Sequence, residues 1–533
     1  MGRGSSVPNT EMCAKAIKSL RKASVGCGTF VALAMLLAAS SAWGDEPRRA
    51  TERPVLNEPG EITAVADAFD DFDPFDLHIT VGFQQSWRST KVMRESYSTV
   101  GTLSNGGYTA DTMNVAKYSG STSRLNTRLD IGVYKDFALY LRMPIILRDA
   151  YKLEGIDGSE NSFAAIAGAP GERLFSVPFE SPKRSGIEYL AVGFDVDIMS
   201  QNRNPTLPTW LFGIEGRFSI SEPMRACNPS PNQGQVECAH PADVDRNGKV
   251  SDPWVSSTGQ SMQLEGSNVS PRSPGVSRGT TAIELHTYIS RRIKYIEPYG
   301  GFRAMAEFAN SKSDFPNTGI EAATVTHPPI EGWVVAGLMV IPWENREMFR
   351  RFTIDGRVEA AYRSEGQDYS ELFDALGSSD ARTLRTPNYA KFTANNESNK
   401  AANPSVADTN SEKVYFTGIT DVQAHAKFRV SSSLTFQASE YVKFQLGFAY
   451  MWVQPHFITM DQPCNSNTNS SPDIAGPCRI TTKTATASGT SYNHTSTGRP
   501  NPNYRPVINQ VGRRYKVDDT SVVDLWFNGI VMF

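Results

Sequence analysis

The sequence predicts an all-β chain, a membrane-spanning antiparallel up-and-down β-barrel of about twelve strands with long outer loops. Three observations predict it. Apolar and polar residues alternate with period two in window after window, the signature of strands with one apolar face. The connections between windows are alternately short and long. Fully charged residues occupy the face opposite the apolar one, which suits a wet lumen and a lipid-facing exterior, whereas a sandwich in water would need a second sheet to cover each apolar face. The bulk values agree: 533 residues, 39% hydrophobic, 20% charged, with a formal charge of −3. They exclude binding to nucleic acid through bulk charge, a collagen-like or fully disordered chain, and a bundle of transmembrane helices.

Residues 1–44 read as a secretory signal. Lys15, Lys18, Arg21 and Lys22 form a basic region, Phe30 to Ala39 an apolar run, and Ala42-Trp43-Gly44 a small-x-small cleavage site. The apolar run is too short to span a bilayer as a helix, which needs roughly 20 residues. Losing five basic residues and one acidic one with that segment takes the formal charge from −3 to −7.

Two of the six cysteines leave with the signal, and the other four form two short-range pairs, Cys227 with Cys238 and Cys464 with Cys478. Each pair sits in an Asn, Pro, Ser and Gln-rich stretch of an exported chain, so local disulfides are expected. Free thiols or zinc ligands are the alternative, and no Cys-x-x-Cys spacing supports them. Cys27 precedes the apolar run, where an acylated cysteine would follow it.

Residues 45–76 are Pro-rich, then acidic at Asp67, Asp70, Asp71, Asp73 and Asp76. They show no apolar face of their own and are expected to form a periplasmic tail or plug segment. The barrel, residues 77–533, starts where Leu77, Ile79, Val81 and Phe83 alternate with polar neighbours. Leu125 to Val133 and Phe137 to Ile145 follow as a tight pair around Lys135 and Asp136. Further windows fall near 187–199, 209–220, 280–292, 295–308, 331–341, 351–363, 421–438, 442–454 and 522–533. Short connections at 135–136, 200–208, 293–294, 342–350 and 439–441 place the turns on the periplasmic side. Extracellular loops are expected at 89–123, 148–186, 221–279, 309–330, 364–413 and 455–521. Their low charge density argues against a site for anionic polymers. Trp87, Trp210, Trp343, Trp452 and Tyr362 lie near strand ends, where rings rest among lipid headgroups.

The last window carries a resemblance. Val523, Leu525, Phe527, Gly529, Val531 and Phe533 alternate toward a terminal phenylalanine. This resembles the C-terminal strand of Gram-negative outer-membrane β-barrel proteins, whose assembly machinery recognises such an end. The resemblance implies location in the cell outer membrane, contact with its lipid, and Phe533 as an assembly signal. It fits the porin-like class and no specific family. Fatty-acid-transporter-like barrels usually have about fourteen strands and an N-terminal hatch, which residues 62–76 match weakly.

With the apolar faces toward lipid, the lumen receives Arg128, Asp130, Arg142, Asp195, Asp197, Glu215, Arg217, Glu284, His286, Arg303, Glu307, Asp355, Arg357, Glu359, His425, Lys427 and Arg429. Both signs alternate along single strands, as in Glu215-x-Arg217 and Asp355-x-Arg357-x-Glu359. That predicts cross-strand ion pairs and a narrow or nearly closed bore, in preference to a selectivity ring of one sign.

Within the 221–279 loop, Asp243-x-Asp245-x-Asn247-Gly248 reads like the start of a calcium loop, with the Lys249 carbonyl and Asp252 as further oxygen ligands. It departs from the EF-hand at position twelve, which is Trp254. An Asx-rich turn is the alternative. His494-Thr495-Ser496 has the spacing of the histidine and serine of outer-membrane phospholipases, but it falls in a Thr, Ser and Asn-rich loop and no Asn partner can be placed, so no catalytic residues are assigned. The expected function is therefore a channel or passive transporter for small solutes. The alternatives are a structural or adhesive surface barrel with a closed lumen and, behind it, a lipid hydrolase.

Overall fold

The computed structural model describes residues 62–533 apart from 71–72, 99–108, 157–165, 169–171, 230–235, 239, 241–253, 256–260, 263–271, 316–326, 386–412, 415, 461–478, 487–488, 497–504 and 510–511. The signal segment, residues 45–61, the calcium-like residues Asp243, Asp245, Asn247, Lys249 and Asp252, and the cysteines Cys464 and Cys478 lie outside the described residues.

Twelve long antiparallel strands close into one barrel. They are β1 (Leu77–Ser98), β2 (Thr109–Tyr134), β3 (Phe137–Glu154), β4 (Leu190–Met199), β5 (Thr209–Phe218), β6 (Thr280–Ser290), β7 (Ile296–Ala309), β8 (Glu331–Asn345), β9 (Arg350–Arg363), β10 (His425–Ser439), β11 (Val442–Val453) and β12 (Tyr515–Met532). Closure runs through β12 and β1, with Val531 opposite Ile79 and Phe527 opposite Phe83. Leu77 and Phe533 exchange both backbone hydrogen bonds, at 3.0 and 2.9 Å. The barrel sheet closes on itself and so has no open edge among the described residues.

Alternation sets the two faces. Val334, Val358, Val430 and Leu446 are exposed on the outside, while Glu215, Asp195 and Glu359 on neighbouring positions are buried. A protein with charge inside and leucine outside is built for hydrocarbon surroundings. Exposed Trp210 and Trp343 mark the periplasmic edge of that belt, and Tyr362 and Trp452 its outer edge. Tyr134, Tyr295 and Tyr441 add to the inner girdle beside short turns. One of these turns differs from expectation: β8 continues to Asn345, and the chain reverses over a 3-10 turn at Arg346–Met348.

The strand windows were too short on one side. A tilted strand crosses a bilayer in about 9–11 residues, yet β1 has 22 residues, β2 has 26, and β3 and β12 have 18 each. Much of the expected loops 89–123 and 148–186, and the end of 455–521, is therefore strand that rises above the membrane. Polar residues such as Ser119, Ser121 and Ser123 on the emergent part of β2 gave no apolar alternation to find.

Above the membrane the inward faces of these tall strands turn apolar. Val92, Val115, Ala116, Leu153, Tyr515 and Val517 form one core with Leu174, Phe175, Leu372, Leu376, Leu384, Ile458 and Ile508 from the connecting segments. The short helix α1 (Phe373–Gly377) is wholly buried in this cap. Among the ion pairs of the cap, Arg184 joins Asp374 at 2.7 Å, with side chains 3% and 0% exposed. Asp374 also accepts the Cys227 amide at 3.0 Å, and Cys227 is disulfide-bonded to Cys238. The segment holding His494-Thr495-Ser496 is a strand, Gly489–Ser496, in a two-stranded hairpin with Arg479–Thr486, and that hairpin is separate from the barrel sheet.

At the opposite mouth, the segment expected as a periplasmic tail or plug has buried positions among its described residues 62–70 and 73–76. Thr63, Ala66, Asp67 and Ala68 are buried. The Thr63 and Ser290 hydroxyls meet at 2.8 Å, and Ile62 packs against Tyr299, Val335 and Met339 of the barrel wall. The Gly132 amide donates to the Asp76 carbonyl at 2.9 Å. A Cβ at Gly132 would stand 1.9 Å from the Asp67 carbonyl oxygen, so the close docking of this segment on β2 requires glycine there.

Candidate lumen site

The lumen wall in the membrane is stitched by ion pairs, several of which skip a strand. Arg128 of β2 reaches Asp130 on its own strand at 2.6 Å and Asp195 of β4 at 2.9 Å. His286 of β6 meets the same Asp195 at 2.8 Å. Arg142 of β3 pairs with Glu215 of β5, which also holds Arg217 at 2.5 Å, and Arg217 pairs with Glu284. Farther round, Lys427 of β10 reaches Glu331 of β8 at 2.6 Å, and Arg429 bridges Glu359 at 3.1 Å and Asp524 of β12 at 3.2 Å. Next-nearest strands are about 9.5 Å apart in a flat sheet, and the curvature of the barrel brings their inward side chains within reach of long arginines.

The remaining residues expected in the lumen fall as follows. Asp355 accepts from the Tyr299 hydroxyl at 2.6 Å and meets Arg357 at 3.4 Å. Arg303 lies 4.7 Å from the centre of the Trp333 ring, a cation–π contact. Asp197 sits at the periplasmic end of β4 with one carboxylate oxygen buried and unpartnered. Glu307 and His425 belong under the cap: Glu307 pairs with Arg278 at 2.8 Å, and His425 stacks on His456 with ring centres 4.0 Å apart.

A cavity of about 280 Å³ opens within the lumen beside β1, β2 and β9 to β12. Its lining combines Gln84, Asn126, Gln445 and Asn528 with Ser431, Ser433, the Trp526 ring and the paired side chains Asp355, Arg357 and Arg429. The amides form short chains, Asn126 to Gln84 at 3.2 Å and Asn528 to Gln445 at 2.7 Å.

Counting only charged residues missed these amides, although they share the inward face: Asn126 lies two residues before Arg128, and Trp526 two after Asp524. A second signal was also legible. Across the register, Gly193 stands opposite Tyr140, Gly301 opposite Tyr288, Gly337 opposite Tyr299 and Gly447 opposite Trp526. In each case a Cβ on the glycine would come within 2.4 Å of the ring, so the rings lie flat on bare backbone.

No protein-family model matches the chain, and no curated protein matches it. Among solved structures, it is similar to an outer membrane channel from Pseudomonas putida, with 8% identity, a TM-score of 0.32, and coverage of 89% of this chain and 99% of that one. A Pseudomonas aeruginosa FadL homologue gives 8% identity and a TM-score of 0.30, covering 86% and 90%. A TodX monoaromatic hydrocarbon channel mutant gives 8% and 0.28, covering 90% and 100%. At these scores the likeness carries no functional argument, which rests on the barrel itself.

Proposed function

We propose that this outer-membrane barrel is a channel for passive transport of small solutes, closed at rest by the docked segment 62–76 at the periplasmic mouth and by the cap at the outer mouth. The observation that carries the reading is the polar cavity held open inside the membrane-spanning wall. A barrel whose lumen served only rigidity would gain by filling that space with packed side chains. The ion pairs fix the wall, and the amides and hydroxyls present a surface that replaces the hydration of a passing solute.

The test is single-channel recording in a planar bilayer, with the full mature chain beside a variant lacking residues 45–76. Stable steps that grow or open more often in the truncated protein support a plugged channel. Silence from both proteins, each shown to be folded, removes the transport reading. The second reading would then stand, a surface barrel acting through its outer face, and the well-packed apolar core of the cap favours it. We further propose that Phe533 is the feature read by the barrel assembly machinery, and we assign the chain no catalytic step.

A further inference from the structure

We infer that the lumen cavity is a binding site for an uncharged, hydroxyl-rich solute of about monosaccharide size, recognised by stacking on Trp526 and by the amide shelf of Gln84, Asn126, Gln445 and Asn528. The inference rests on the channel reading for its place in transport, and its test separates the two.

The chemistry of the lining selects the class. Each carboxamide offers two donors on nitrogen and an acceptor oxygen, and each hydroxyl offers both roles, the complement of a ring of sugar hydroxyls. Four amides and two serines converge on one cavity. Charge there is already spent: Arg357 is held by Asp355 and by the Tyr299 hydroxyl at 3.0 Å. Arg429 is held by Glu359 and Asp524, and Asp524 also accepts the Ser86 hydroxyl at 2.6 Å. An anion would have to displace these carboxylates, and a cation would have to displace the guanidiniums. A neutral solute displaces neither. A hydrocarbon would offer the amides no hydrogen bonds in place of those made by the water it expels.

The aromatic face completes the site. Gly447 lets the Trp526 indole lie against the wall, and the ring lines the cavity with the Arg429 guanidinium 5.9 Å from its centre, so the C–H face of a pyranose would rest on the ring beside that guanidinium. The volume of about 280 Å³ is near the lower end of the ~300–1,000 Å³ of small-molecule sites, enough for one sugar ring.

Calorimetric titration of the folded protein in detergent with glucose, benzoate and choline, beside sugar uptake into vesicles, tests the assignment. Wild type is expected to bind glucose saturably, and to bind benzoate and choline at least tenfold more weakly. Trp526→Ala and Gln445→Met should each weaken glucose binding about tenfold, which corresponds to about 1.4 kcal/mol, while Trp343→Ala on the lipid side leaves it unchanged. The two lumen variants are checked for heat-modifiable migration and must remain folded for the comparison to count. Absence of saturable glucose binding, equal binding of the charged probes, or unaltered binding by both lumen variants overturns the inference. Sugar uptake without saturable binding leaves the channel reading standing and removes this one. Binding without uptake, in the wild type and in the variant lacking residues 45–76 alike, removes the channel reading and leaves this one.

Discussion

The two halves of this molecule use the same strands with opposite interiors. Within the membrane, β1 turns His78, Thr80, Gln84 and Ser86 inward and Ile79 and Phe83 outward. Above it, the same strand turns Val92 into a dry core. The sign of the interior follows from the solvent outside. Lipid rewards an apolar exterior and leaves the lumen to water and ion pairs; once the wall emerges into water, burial of apolar surface is again the main stabilising term. The difference teaches that the cap folds by the rules of a soluble domain and the barrel by those of a membrane protein.

The largest effect should come from breaking the Arg184–Asp374 pair buried in the cap. Asp374→Ala leaves Arg184 charged and enclosed, and the expected loss is about 3–5 kcal/mol. Limited proteolysis should then cut the cap segments while the heat-modifiable barrel persists. The matching change in the lumen, Asp130→Asn, removes a partner of Arg128, whose side chain is 35% exposed, and should alter stability by about 1 kcal/mol or less. Equal losses would erase the contrast between the two interiors.

Next in size are the apolar positions. Leu376→Ala, in the cap core, should cost about 2–5 kcal/mol. On the outside of β11, Leu446→Arg should cost about 2–4 kcal/mol if Leu446 lies near the bilayer midplane, read as reduced folding efficiency into lipid vesicles. A cap that tolerates Leu376→Ala as an exposed site would, and a barrel unaffected by Leu446→Arg, would each break the assignment of its half.

Acid should separate the halves more gently. Burial alone would raise the Glu371 carboxyl, but the Arg88 guanidinium outweighs it and holds the group below its ordinary value. Burial likewise opposes ionisation of Asp368, and Arg278 with Arg363 holds it well below. His456 is lowered by burial. All three bind fewer protons folded than unfolded, so their contributions are complete above the unfolded values, about 6.5 for His, 4.3 for Glu and 3.9 for Asp. They are lost as pH falls below those values toward the folded ones. Cap protection from protease should therefore weaken first below about pH 6.5 and again below about pH 4.5. Protection that rises on acidification would reverse the sign of this linkage.

The smallest change in stability with a clear readout is Gly132→Leu. The new side chain has no room beside the Asp67 carbonyl, so segment 62–76 should detach and conductance should increase without loss of barrel assembly. Unchanged conductance would show that this docking does not close the periplasmic mouth.

Much of the barrel was legible because the lipid-facing side must be apolar at every second residue, as in Leu434 and Phe436 or Val523 and Leu525. The twelve strands and their order follow from that. The lumen charges were legible as a set, but their partners were not: Arg142 reaches Glu215 over β4, and sequence spacing says nothing about reach across a curved wall. The cap was hidden for a different reason. Its core draws single residues such as Leu174, Leu376 and Ile508 from distant connections, which leaves no period to detect. The docked N-terminal segment was hidden because Thr63 and Asp67 are held through hydroxyl and backbone contacts, and these have no apolar signature.

The glycines opposite flattened rings set the calibre of the bore from a neighbouring strand. At Gly447 one added carbon would stand 2.1 Å from the Trp526 indole, and the ring would have to swing off the wall into the passage. The free cross-section is thus adjustable by a change of a single methyl group without altering the lipid-facing belt. A family of such barrels could grade the size of what they admit by exchanging glycine and alanine on one strand while the rings on the next stay the same.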